Sequence, residues 1–393
     1  MTCLAVPARP RRAGERVSAA LLRLAAAALL MGAAPALGSG PQLLAPADGE
    51  AVGWSSALAE RYAVVGGAGS AYVFAWDGAR WSELRRLSPA EGLSAYGNAV
   101  GVHGDLAFVQ ALGIGPDGSY VGAVAVYDLA GGDEPIDVLW NEPPYESDAF
   151  GSAIVMAGDH LFVGARHDRV GDVRSGSVSV FAFDPAAGFS RVAKLAPAGT
   201  SDWDDFGYAV AAHGDLLVVG AQGRGETGAA FVYRLVGGEW TLEAELAPDP
   251  EQAPGGFGSA VAVEDGIVLV GAEADSGAAR AAGAVYAFAA GADGWRQTHR
   301  IAPDDPDELG LFGASVALRL PFLVVGAYAD DELALGAGAA YLFELVDGEW
   351  RQVTKLLSPD VGIESAFGAS VGISESHVLV TQLSPTLAAV YER

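Results

Sequence analysis

An aromatic residue followed by glycine opens the same phrase six times in this chain: Tyr96-Gly97, Phe150-Gly151, Phe206-Gly207, Phe257-Gly258, Phe312-Gly313 and Phe367-Gly368. The glycines advance by 54, 56, 51, 55 and 55 residues. After each pair come small residues and valine, then a tight turn, then an apolar run such as Leu216-Leu217-Val218-Val219-Gly220-Ala221. A weaker copy lies upstream, where Gly53-Trp54 leads into Tyr62-Ala63-Val64-Val65-Gly66-Gly67. Self-similarity at this period means that one supersecondary unit is being stacked, because a unit of about 50 residues cannot cover its own apolar faces. Units beginning near residues 53, 96, 150, 206, 257, 312 and 367 therefore predict seven blades of a β-propeller.

The unit that starts at Phe257 shows the strands. Ala260-Val261-Ala262-Val263 is followed by a turn at Glu264-Asp265-Gly266 and by Ile267-Val268-Leu269-Val270. After a loop come Ala284-Val285-Tyr286-Ala287-Phe288 and then Trp295 to Ile301. Each piece is short, rich in β-branched or aromatic side chains, and bounded by Gly, Asp or Pro, as strands are. The expected class is all-β, with four antiparallel strands per blade. The last unit ends at Leu387-Ala388-Ala389-Val390-Tyr391-Glu392-Arg393, which matches a third strand and lacks a fourth. Gln42-Leu43-Leu44-Ala45-Pro46-Ala47-Asp48 reads like the close of a fourth strand, as in Lys355-Leu356-Leu357-Ser358-Pro359-Asp360. Residues 41–48 are thus expected to complete blade seven and leave no open sheet edge between first and last blade. Residues 37–393 form one domain on this reading, since interdependent blades override the usual length prior.

Residues 1–36 are of another kind. Arg9, Arg11, Arg12, Arg16 and Arg23 precede Leu24-Ala25-Ala26-Ala27-Ala28-Leu29-Leu30-Met31, and Ala34-Pro35-Ala36 supplies small residues beyond. Basic, apolar and small regions in that order are a secretory signal peptide, and the apolar part is too short to span a bilayer. The expected location is secreted, periplasmic or cell-surface. Cleavage takes away five arginines and Glu15 and leaves 18 basic against 48 acidic residues. Such a surface repels phosphate backbones, so nucleic acid is excluded as a partner. The only cysteine, Cys3, leaves with the signal, so packing and ring closure must supply the stability.

The recurrent phrases, Phe-Gly-x-[Ser/Ala]-Val, Val-Val-Gly-Ala and Gly-Ala-x-Tyr-x-Phe, resemble the FG-GAP repeats of integrin-α-type propellers and their bacterial relatives. The resemblance covers the mature chain and implies the propeller fold, with a role in adhesion or assembly rather than chemistry. In the calcium-binding members an Asp-rich loop between the first two strands wraps the ion. Here that link has shrunk to His103-Gly104-Asp105, Gly158-Asp159, His213-Gly214-Asp215, Asp265-Gly266, Leu320-Pro321 and Glu375-Ser376. Calcium takes six to eight oxygens, so turns this short cannot enclose it, and those ion sites are not carried over.

Chemical motifs are weak. Gly113-Ile114-Gly115-Pro116-Asp117-Gly118 and Gly223-Arg224-Gly225-Glu226-Thr227-Gly228 fit the dinucleotide pattern, but both lead into strands where phosphate cradling needs a helix. Of the six histidines, four (His103, His160, His213 and His377) sit at the same tight turn in different blades, too far apart to share a metal ion. No nucleophile, base and oxyanion donor can be assembled, so the expectation is no enzyme and no cofactor. Weak calcium binding by the acidic loops is kept as a further reading.

Alternating strands place the loop after each second strand and the loop after each fourth strand on one face. Those loops are long, variable and acidic, and variable loops on a rigid scaffold are where binding resides. The candidate partner-binding residues are Trp203, Asp204, Asp205, Asp304, Asp305, Asp307, Tyr328, Asp330, Asp331, Arg166 and Arg224. Trp203 and Tyr328 are expected to be exposed anchors. The plainer reading is that the acids keep an exported protein soluble. Arg166, Arg169, Arg174, Arg224 and Arg280 form a basic sector if they cluster, suited to a carboxylated glycan or an acidic protein segment; salt-bridging to neighbouring acids is the alternative.

These features point to a monomeric, exported, non-catalytic binding or adhesion scaffold whose partner is a protein or glycan at the cell surface. Two alternatives stay open: a hydrolase or lyase using the central channel, and a purely structural module of a surface assembly. The innermost strands, such as Ala99-Val100-Gly101-Val102 and Ala209-Val210-Ala211-Ala212, are small and apolar, with Asn98 and Tyr208 as unrepeated polar exceptions.

Overall fold

The repeated glycines are required by the way one blade meets the next. Gly207, Gly258, Gly313 and Gly368 take φ of 89°, 93°, 95° and 92°. Side chains disfavour that left-handed region. Facing each of them is the glycine of the preceding blade's Val-Gly-Ala phrase. A Cβ on Gly220 would lie 2.1 Å from the Gly258 carbonyl oxygen, and one on Gly271 2.1 Å from that of Gly313. The two phrases are therefore one device, two backbones pressed together with no room for a side chain. The aromatic partner of each pair is buried against its own blade: the Phe206 ring lies 5.3 Å from Phe231, and Phe312 lies 5.3 Å from Tyr341.

The computed structural model describes residue 37 and residues 40–393, apart from 68, 95, 115–117, 250, 251, 253, 254, 361 and 385. The expected signal segment, residues 1–36, lies outside the described residues, as does the middle of the first glycine-rich stretch. The described residues form seven antiparallel sheets of four strands each, six of them in sequential order, and no helix. Blade five, for example, is Phe257–Glu264, Ile267–Ala272, Ala284–Gly291 and Gly294–Ile301. Second strands such as Leu216–Ala221 are buried along their whole length. Fourth strands such as Glu239–Leu246 bury only their last residue fully, which is why the outer strand alone alternates polar and apolar side chains. The core lies between blades: Val218 and Val232 of one blade pack with Phe257, Val261 and Val270 of the next.

The ring closes with a strand from the beginning of the chain. Blade seven consists of Val371–Ile373, His377–Leu383, Thr386–Glu392 and Gln42–Leu44. Gln42 pairs with Val390, Leu43 with Ala389 and Leu44 with Ala388. Leu44 is buried in a cluster with Val52, Tyr72, Phe74 and Trp81 of blade one. The Gln42 amide also bonds both backbone groups of Trp81, accepting from its N–H at 2.8 Å and donating to its carbonyl. The imidazole of His377 fits between Trp76 and Trp81, with ring centroids at 4.5 and 5.2 Å.

The two faces of the ring differ. On one, the first and second strands of blades two to six are joined by only two residues, as at Gly104-Asp105 and Asp265-Gly266. Charges stitch these hairpins blade to blade: Arg319 bonds Glu264 at 2.7 Å and also bonds Glu375, and Glu60 accepts the backbone N–H of Glu375. The opposite face carries the long connections, among them residues 166–176, 196–208, 273–283, 302–314 and 328–338.

Candidate functional site

The long loops are held at their roots by buried carboxylates. Asp168, Asp275 and Asp330 each come three residues after a second strand and are buried. Each receives a hydroxyl from the third strand and a cation from the fourth. Asp330 accepts the Tyr341 hydroxyl at 2.9 Å and the Lys355 ammonium at 2.8 Å. Asp275 accepts the Tyr286 hydroxyl and the Arg300 guanidinium. Asp168 accepts the Ser177 hydroxyl and the Lys194 ammonium. Burial works against the charge on Lys355, but its bonds to Asp330, Glu332 and Asp305 outweigh that and hold its pKa well above the ordinary lysine range. The carbonyl oxygens of the same three aspartates accept the N–H groups of Gly176, Gly283 and Gly338, so backbone and side chain close the loop together. Those glycines then bridge to Phe206, Phe312 and Phe367 of the following blade. The loops are thus preorganised from inside the sheet.

Against this frame the eleven candidate residues separate. Trp203, Asp304, Asp305 and Asp331 are exposed on the loop face. Asp205, Asp307, Tyr328, Arg166 and Arg224 are half-buried, so Tyr328 is not the open anchor its loop position suggests. Asp204 and Asp330 are buried. Asp204 accepts Arg224 at 2.8 Å and the Ser201 N–H at 2.9 Å, and Arg224 also holds Glu245 at 2.7 Å, so this pair is the clamp of blade four. Asp305 partners Lys355 at 2.9 Å, and the Asp307 carboxylate receives the Asp331 N–H at 2.8 Å.

The basic sector does not assemble as a whole. Arg224 is paired as described, and Arg280 reaches Glu308 at 3.8 Å. Arg166 and Arg174 instead lie over aromatic rings, Tyr208 at 5.1 Å and Trp203 at 4.5 Å. The Trp203 indole stays 54% exposed. Its backbone is fixed by an N–H bond to the Arg174 carbonyl at 2.8 Å, and its own carbonyl is pressed so close to Gly223 that a Cβ there would sit 2.0 Å away.

A second group gathers where the loops meet the channel. The residue that follows each Val-Gly-Ala phrase is Arg166, Gln222, Glu273 or Tyr328, in four successive blades. Burial lifts the Glu273 carboxyl above the usual carboxylate range. Its charge acts in turn on the phenols of Tyr208 and Tyr328, which burial already raises, and the Gln222 side chain bonds the Tyr208 hydroxyl. Ser259 holds on blade five the place that Tyr208 holds on blade four, and its buried hydroxyl has no partner among the described residues. Of these, sequence reasoning singled out Arg166, Tyr208 and Tyr328 and missed the role of Gln222, Glu273 and Ser259. The signal was available: a fixed place beside the axis whose occupant changes while its neighbours repeat. Among the described residues, no three or more His, Cys, Asp or Glu side chains are grouped to hold a metal ion.

A family model described as the FG-GAP repeat matches residues 189–233, 240–288 and 295–343. The chain is a seven-bladed β-propeller that carries three FG-GAP repeats. Each matched FG-GAP segment begins in the fourth strand of one blade and ends in the third strand of the next, the same offset that leaves Gln42–Leu44 to close the ring. Among solved structures, the crystal structure of Hsv2 from Kluyvelomyces marxianus aligns with a TM-score of 0.51 over 85% of this chain and 90% of that one. At 10% identity that likeness concerns the fold. No curated protein matches the chain. The FG-GAP propeller fold suggests a binding or scaffold role for this protein.

Proposed function

We propose that this protein is an exported, non-catalytic binding or adhesion scaffold that presents the loops of one propeller face to a protein or glycan at the cell surface. The observation that carries the reading is the division of the ring into two unlike faces. Stitched two-residue hairpins cover one side. On the other, clamped roots support loop tips that do not repeat, with an exposed indole at Trp203 and exposed acidic residues at Asp304 and Asp331. Rigid loops lose little entropy on binding, so recognition through them is favoured. The leader at residues 1–36 and the excess of acidic residues accord with export and solubility. Among the described residues, no helix is long and apolar enough to cross a membrane.

The test is retention of surface proteins and polysaccharides of the source organism on the immobilised protein. Retention is expected to be lost in Trp203→Ala and in Asp304→Lys, and kept in Asp159→Lys on the hairpin face. Equal retention by all three variants, or by none including the parent, would count against the reading.

Glu273 favours the second reading, a hydrolase or lyase at the channel mouth, because a carboxyl raised by burial and close to two tyrosines has the character of a proton donor. Turnover of the retained polymer that disappears in Glu273→Gln would establish it.

A further inference from the structure

Guanidinium groups at the roots of the upper loops are mostly paired: Arg86 with Asp48, Arg224 with Asp204, Arg300 with Asp275. Arg166, Arg169 and Arg174 are different. All three stand on one loop, residues 166–176, and none forms an ion pair among the described residues, in a chain whose net charge is −26. The charge of Asp205 reaches Arg166 and Arg174 without an ion pair to either, and the Asp202 carboxylate accepts the Arg174 backbone N–H at 2.7 Å. The Nε of Arg166 is buried without a hydrogen-bond partner. Arg174 is oriented by its bonds to the carbonyl oxygens of His167 at 3.2 Å and Ser147 at 3.0 Å, and by the Trp203 ring beneath it.

Planar guanidinium groups with donors to spare recognise carboxylates, and they do so with fixed direction. The Trp203 ring lies under the Arg174 guanidinium and edge-on to His167, and the part of this rigidly mounted residue that stays exposed offers an apolar surface that the C–H face of a sugar ring can cover. The overall charge adds a restriction. A densely charged polyanion is repelled by the field of the whole molecule, whereas a single carboxylate meets only the local arginines. Toward the axis the neighbouring groups are Tyr208, Gln222 and Tyr328, with the Glu273 carboxyl, raised by burial, among them; phenols, an amide and a carboxyl are hydrogen-bonding partners for the hydroxyls of uncharged sugars.

We propose that Trp203, Arg174 and Arg166 bind the carboxylated sugar at the end of an otherwise neutral glycan, whose uncharged residues run over Tyr208 and Tyr328 toward the channel. This rests on the glycan form of the function proposed above and names the chemistry of its ligand.

The experiment is calorimetric titration of the full chain with methyl glucuronoside, with methyl glucoside and with polygalacturonate. Methyl glucuronoside is expected to bind about tenfold or more tightly than the glucoside, because only the acid engages the arginines. Arg166→Gln and Arg174→Gln are each expected to remove that advantage, and Arg174→Lys, which keeps the charge and the loop, to restore part of it. Equal binding of acid and neutral sugar, binding of polygalacturonate alone, unchanged affinity in both Gln variants, or no sugar binding at all would each overturn the proposal. Failure here with surface material still retained through Trp203 leaves the scaffold reading standing. Glucuronoside binding that the Gln variants lose, without any retained surface partner, upholds the sugar site and counts only against the cell-surface partner of that reading.

Discussion

Lys355 reaches back across its blade to place its ammonium 2.8 Å from the buried carboxylate of Asp330. With Tyr341 on the same carboxylate and Glu332 on the same ammonium, the pair fixes where a long loop leaves the sheet. Removing one member leaves the other charged and desolvated, the costly case for a buried pair. Lys355→Met is therefore expected to lower stability by about 3–5 kcal/mol in urea unfolding. Adding Asp330→Asn should recover more than half of that. A single variant as stable as the parent would mean that the clamp does not hold the loop.

His377 gives the ring an acid sensitivity at its seam. Burial between Trp76 and Trp81 lowers its pKa, although the charges of Glu392 and Glu60 oppose the shift. A group harder to protonate when folded is neutral in the folded state, so its protonation favours unfolding. The stability it supports is complete above the unfolded value near 6.5 and falls as pH drops below that value toward the lowered folded one. The melting temperature is expected to decline between pH 6.5 and pH 5 in the parent and to decline less in His377→Phe. Parallel curves would show that the imidazole is not desolvated at the seam.

Close glycine contacts between blades make a graded prediction. A Cβ on Gly326 would meet the Gly368 carbonyl oxygen at 2.0 Å, whereas one on Gly132 meets nothing within 4 Å. Gly326→Ala should destabilise by about 3 kcal/mol or more through overpacking. Gly132→Ala should stay within about 0.5 kcal/mol of the parent. Denaturant midpoints with unchanged slopes are the check, and similar values for the two variants would contradict the interface geometry.

Closure by the first strand predicts a loss out of proportion to its length. Deleting residues 41–48 removes the outer strand of blade seven and uncovers Trp81 and Phe74 of blade one. The melting temperature should fall sharply. Leu44→Ala alone is expected to cost about 2–5 kcal/mol, as other buried leucines do. An unchanged melt for the deletion would refute closure.

The fold was legible because its constraints repeat: Phe-Gly and Val-Gly-Ala recur wherever two backbones touch, and Leu387 to Arg393 ends one strand short of a blade. The loop face was less legible. Asp204 and Asp330 look like surface acids in the sequence, because composition does not distinguish a carboxylate facing water from one turned inward to Arg224 or Lys355. Those partners lie across strands and become neighbours only when the blade forms. Tyr328 misled for a related reason, since its loop is long but its own place is at the root. Glu273 and Gln222 stand at the first position after a repeated phrase, where variation against a constant background marks the channel mouth.

In the proposed function, recognition belongs to the loop face. Hydrogen-exchange footprinting of the protein with its retained partner tests this directly. Protection is predicted in segments 166–176, 196–208, 302–314 and 328–338, with the hairpins at 158–159, 214–215 and 265–266 unchanged. Protection confined to those hairpins, or to the outer strands, would contradict it.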